Sequence, residues 1–218
     1  MKKKHLITGI NSGKNCRYSK HNKGFTLIEL LIAMFVGLIV LGATYAVFIA
    51  QNKELNKQEQ IAVMQQNARM AMEMMTGEIM MAGYGASTLT KCVGSTTATN
   101  TPCVGITAAN ADSISFSADL DDSGSLASGA NENITYDLYT SDGVQVLGRA
   151  SNAGSHQPVV ENIYPSATEP ALAFTYQDAN GEPTADLKQI RRIQIVFTAR
   201  TANIDPDTGD YRYYPLKS

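Results

Sequence analysis

The sequence predicts an α+β fold: one long N-terminal helix, membrane-spanning in its first half and amphipathic in its second, packed on a C-terminal antiparallel β-sheet. Three observations carry this. An apolar run fills residues 25–50, an apolar stripe at helical spacing continues to residue 79 with no proline or turn cluster between, and period-two segments separated by turn residues follow from residue 112.

The run "FTLIELLIAMFVGLIVLGATYAVFIA" has 26 residues and one charge, Glu29. A helix rises about 1.5 Å per residue and the hydrocarbon layer is about 30 Å thick, so about 20 apolar residues suffice to cross it. A secretory signal peptide has an apolar core of only about 7–15 residues before a small-residue cleavage site, whereas this run is longer and leads into a polar helix. Residues 1–24 hold seven of the chain's 18 Lys and Arg and no acid, which leaves 11 bases against 20 acids, net −9, over residues 25–218. Basic before the apolar run and acidic after it, the chain is expected to keep its N-terminus in the cytoplasm and export the rest.

Cysteine placement fits export. Cys16 lies in the basic leader, while Cys92 and Cys103 flank the polar stretch "VGSTTATNTP". In an oxidising compartment a disulfide would close that short loop and stabilise by about 2–3 kcal/mol. Two free thiols are the alternative; the exported position favours the bridge.

Ile61, Met64, Ala68, Met72, Met75 and Ile79 recur at spacings of three and four, on one helix face. A methionine stripe of this kind reads as core rather than as a metal or partner box. Arg69 and Glu73 stand at i, i+4, the spacing of a helical ion pair. The helix is expected to end at "AGYGAS", where Gly83 and Gly85 supply the left-handed conformation of a C-terminal cap.

Four segments then alternate: "DSISFSA" with Ile114 and Phe116 on one side, "NITYDLY" with Ile134, Tyr136 and Leu138, "ALAFTYQ" with Leu172, Phe174 and Tyr176, and "RIQIVFTAR" with Ile193, Ile195 and Phe197. Turn-rich stretches, "DLDDSGSLASGANE", "SDG" and "DPDTGD", separate them. Residues 86–111 and 121–131 read as polar loops. The expected organisation is a basic leader over 1–24, a transmembrane helix half over 25–50, an amphipathic half over 51–85 and a β-rich head over 86–218.

Catalytic chemistry is poorly supplied. After residue 24 there is one histidine, His156, and no tryptophan, which argues against a histidine-built zinc site or a nucleophile triad. The glycines of "GYGAST" follow a helix and do not make a dinucleotide loop. Arg191 and Arg192 are solvated charges in an acidic domain, so no nucleic-acid partner is expected. Among cofactors, calcium alone has a candidate site. In "DLDDSGSLASGANE", Asp119, Asp121, Ser123 and Gly124 match the first, third, fifth and sixth positions of a calcium loop, but the twelfth is Ala130 and the nearest carboxylate, Glu132, comes two residues late. "NIDPDTGDYR" has the same flavour, with Asp205, Asp207 and Asp210. Ordinary turns use the same residues.

"KGFTLIELLIAM", behind a short basic leader, resembles the class III signal of type IV pilins and type II secretion pseudopilins. The resemblance implies that prepilin peptidase cuts after Gly24 and methylates the new N-terminus at Phe25, that Glu29 becomes the fifth residue of the mature chain, and that the protein is structural rather than an enzyme. It implies a pilin fold, a bacterial inner-membrane precursor with its C-terminal domain in the periplasm, and later a place in a pilus or pseudopilus. Its implied partners are the peptidase, other major and minor pilins in a helical filament, and the inner-membrane assembly platform. "NARMAMEMMTGEIMMAGYG" looks like the helix end of PilW-type minor pilins, and "DLDDSG" with "ENITYDL" and "IRRIQIVFTAR" look like their later turns and strands. By that likeness one more strand is expected beyond "YYPLKS". The alternatives are a tip pseudopilin of type II secretion, and a pilin-anchored adhesin or calcium-responsive binding domain.

An ionised carboxylate in hydrocarbon costs at least about 2.5–3.5 kcal/mol. Family resemblance offers Glu29 a partner, the charged N-terminus of a neighbouring subunit. Alternatively it reaches the headgroups or sits protonated.

Overall fold

A computed structural model describes residues 24–85, 90–91, 103–121, 123, 126, 131–152 and 154–218. The arrangement is α+β and pilin-like: one long apolar N-terminal helix, α1 (Leu27–Met80), followed by antiparallel sheets. The chain divides into two compact units, Met1–Gln51 and Asn52–Ser218.

In the first unit the helix residues are exposed throughout and have a mean hydropathy of 2.5 over the most apolar window, enough to cross a membrane by length and composition. Thr44 is one of two hydroxyl residues between Thr26 and the end of this unit, with Tyr45, and its Oγ1 donates back to the carbonyls of Val40 and Leu41 (3.0 and 2.9 Å). That satisfies the Thr44 hydroxyl within its own helix in an apolar surrounding.

In the second unit the expected stripe is the one that is buried. Met64, Ala68, Met72 and Met75 are in the core with Ala71, and Ile61 and Ile79 pack at its margin. Arg69 does not pair with Glu73; its guanidinium donates to Tyr214 Oη (3.3 Å). The helix closes through turns over 81–85, with Gly83 and Gly85 at φ +87° and +81°, the left-handed cap expected from "AGYGAS".

Two sheets share this core where one was expected. The six-stranded sheet runs in the order β1 (Thr90–Lys91), β2 (Cys103–Ala109), β3 (Ile114–Ser117), β4 (Asn133–Ser141), β5 (Val144–Ser151) and β6 (Gln157–Glu161); only the β1–β2 pair is parallel. The three-stranded sheet is β7 (Leu172–Gln177), β8 (Arg192–Arg200) and β9 (Tyr213–Lys217), all antiparallel. Thus the loop expected over 86–111 contains two strands, and "YYPLK", assigned no strand from sequence, is itself an edge strand. Cys92 lies outside the described residues, and of Cys103 only the backbone, opening β2, is described.

Register follows the inward residues: Phe116 stands opposite Ile134 and Ile114 opposite Tyr136, while β7 sets Phe174 against Ile195 and Leu172 against Phe197. Asp142 and Gly143, both at positive φ, form the two-residue turn that joins β4 to β5. Thr198 on β8 is a polar residue that is buried, and its hydroxyl donates to the carbonyl of Pro170 (2.8 Å).

Candidate functional site

Gly24 and Phe25 precede the helix without regular structure, and the Phe25 side chain is 83% exposed. Thr26 is the N-cap: its Oγ1 accepts the amide proton of Glu29 (3.3 Å) and its carbonyl accepts that of Leu30 (3.2 Å). A threonine cap with glutamate three residues on has the spacing of a capping box, and the helix dipole favours a carboxylate in the first turn. The Glu29 side chain is exposed and has no ion-pair partner among the described residues. Gly24, Phe25 and Glu29 therefore stand within one turn of the helix start, on a surface otherwise uncharged to residue 50.

The second candidate cluster lies in the other unit, where the β3–β4 loop leaves and re-enters the sheet. Ser117 pairs with Asn133, and the amide of Ala118 donates to the carbonyl of Glu132 (2.9 Å), so Asp119 and Glu132 face each other across the neck of the loop. Asp119 is buried and Asp121 exposed, and both accept the Ser123 amide proton (3.1 and 3.0 Å). One carboxylate oxygen from each of Asp119, Asp121 and Glu132 lies within 4.8 Å of the others. The linear calcium-loop pattern failed at its twelfth position; the hairpin register brings Glu132 across instead. Ser123 takes part through its main-chain amide.

The helix cap is built into this neck. The Gly83 amide donates to the Ser117 carbonyl (3.0 Å) and the Asp119 amide to the Tyr84 carbonyl (3.1 Å). A Cβ on Gly85 would fall 2.4 Å from Asp119 Cβ.

The other acidic turn is already occupied by cations of this chain. Asp205 accepts from the Arg212 guanidinium (2.8 and 2.6 Å), and the Lys57 ammonium reaches Asp205 (3.6 Å), Glu54 (3.2 Å) and Asp207. The Asp207 amide and Arg212 hold the Asp205 carboxyl below its ordinary range. This turn ties the helix to the β8–β9 connection, and nothing in the sequence pattern pointed to Lys57 as its partner. His156 is likewise held locally, stacked on Tyr139 (5.0 Å) and 2.8 Å from Asp137.

Residues 19–45 match the family model described as the prokaryotic N-terminal methylation motif. No curated protein matches the chain, and no solved structure does.

Proposed function

We propose that this chain is a filament subunit of the type IV pilin and pseudopilin class, acting as a PilW-like minor pilin in pilus assembly, priming or the tip complex, without catalysis. The methylation motif over residues 19–45 supports the class and is the observation that carries the reading. On this reading prepilin peptidase removes residues 1–24 on the cytoplasmic side and methylates the amino group of Phe25. The apolar surface of residues 25–50 anchors the precursor in the inner membrane and later packs among other pilins in the filament.

Glu29 is the one charge on that surface, exposed and without an ion-pair partner among the described residues, which suits a group whose partner belongs to another chain. The cost of an ionised carboxylate in hydrocarbon is offset if a neighbour's N-terminal ammonium approaches it. The minor-pilin assignment rests on the likeness of residues 66–85 to PilW-type helix ends and on the at least 194 residues that follow Gly24, bulky enough to suit a tip.

Glu29→Ala tests the pairing. Membrane insertion of the variant is expected to be unchanged while its recovery in sheared filaments falls; entry at the wild-type level would end the pairing account. Deleting the gene separates the filaments: loss of pili supports the minor-pilin role, and loss of protein secretion with pili intact assigns the chain to a pseudopilus.

A further inference from the structure

We infer that the neck of the β3–β4 loop is a binding site for a hard divalent cation, calcium by its ligand set, held by the carboxylates of Asp119, Asp121 and Glu132. The inference concerns the second compact unit alone and does not depend on the filament reading.

Glu132 is the decisive residue. The residue is 1% exposed, yet among the described residues neither carboxylate oxygen has a hydrogen-bond partner of good geometry, and no Lys, Arg or His forms an ion pair with it. Buried carboxylates are ordinarily paired or coordinate a metal, because removing their hydration without replacement is costly. Here Asp119 and Asp121 each bring a carboxylate oxygen within 4.8 Å, which makes the cost worse. Burial, and then the charge of Asp121, push the Glu132 carboxyl above its ordinary value of 4.5, while hydrogen bonds from Ser123 hold Asp121 below its own.

A cation resolves this arrangement. Calcium–oxygen distances are about 2.3–2.6 Å, so two oxygens on one calcium stand at most about 5 Å apart. The three oxygens lie within 4.8 Å of one another, inside that limit. An all-oxygen, all-carboxylate set selects hard cations over zinc or copper, and magnesium's stricter octahedron and tightly held waters favour calcium. The contrast with Asp205 is instructive: there Arg212 and Lys57 supply the positive charge, whereas among the described residues no side chain does so at Glu132. Bound at the neck, the cation would join both ends of the loop beside the helix cap, because the Asp119 amide also holds the Tyr84 carbonyl.

The test uses the full chain in detergent micelles, with calcium chloride as probe, read by titration calorimetry and thermal melting. Wild type is expected to bind one calcium and to melt higher at millimolar calcium; Asp121→Asn, altered at an exposed position, should weaken affinity at least tenfold. Glu132→Gln should lose the calcium shift and, in EDTA at pH 7, melt above wild type. The sign follows from burial: with no cation bound, glutamine removes a charge that the folded chain takes out of water without a counter-charge among the described residues. Absence of a calcium shift in wild type would overturn the site, as would an undiminished shift in Glu132→Gln or a shift abolished by Asp205→Asn.

Discussion

Arg149 is a charged residue in the middle of a buried strand, and its surroundings explain how it is tolerated. Its Nε donates to both oxygens of Glu78 on α1 (3.1 and 2.9 Å), its Nη1 donates to Asn131 (3.1 Å), and Tyr136 Oη donates to the same Glu78 carboxylate (2.6 Å). Burial, then the Glu78 charge, raise the Tyr136 phenol well above its ordinary value, so it stays a donor at any physiological pH. Tyr136→Phe is expected to cost about 1.5–3 kcal/mol, the range for a hydrogen bond to a charged group. Arg149→Met should cost about 3 kcal/mol by leaving Glu78 without its cation; Glu78 keeps 26% of its side chain exposed, which limits the loss. Urea unfolding of the two variants would check both figures. Asp205 makes a pH prediction: because its folded carboxyl is held below the ordinary 3.8, its contribution is present above that value and disappears as pH falls through the folded one. Asp205→Asn should therefore flatten the acid limb of the stability profile. Gly85 combines φ +81° with a 2.4 Å approach to Asp119, so Gly85→Ala should destabilise by at least about 1–3 kcal/mol, seen as a lower melting temperature.

Elements differ in how plainly their residues announced them. The helix stripe was legible because burial on one face imposes a 3.6-residue period over many turns; only Ala71 was missed, a small residue that adds little to the pattern. Met75 is fully buried at its centre, and Met75→Ala should cost about 2–5 kcal/mol in the same unfolding experiment, whereas exposed Met74→Ala should cost far less. β3, β4, β7 and β8 were legible by alternation. β5 was not, because "VQVLGRAS" is buried on successive residues and breaks its pattern with Gly148 and Arg149, both satisfied by distant partners: the Tyr139 and His156 rings cover the glycine, and Glu78 meets the arginine. β6 and β9 contain Pro158 and Pro215, which read as breakers yet are compatible with edge strands that have one unpaired side. In β2, Gly105 and a bulge between Ile106 and Ala108 interrupt any simple period. Glu132 was visible as a residue but its place beside Asp119 was not, because a linear loop pattern does not anticipate a hairpin that returns it there.

For the whole molecule, the first unit carries a terminus, one carboxylate and an uncharged helical surface, while the second is a mixed core with polar clusters at the helix cap and at the β8–β9 turn. The proposed function assigns assembly to the first unit, and the inferred cation site belongs to the second. Gly24→Leu should block maturation, seen as no change in electrophoretic mobility when prepilin peptidase is coexpressed. The central claim, that residues 1–24 are a leader and Phe25 opens the mature subunit, is tested most directly by mass spectrometry of the N-terminal peptide recovered from membranes of cells containing the peptidase. The account predicts a chain beginning at Phe25 with one methyl group on its amino nitrogen. A chain that keeps its leader under those conditions, or that begins at any other residue, would contradict it.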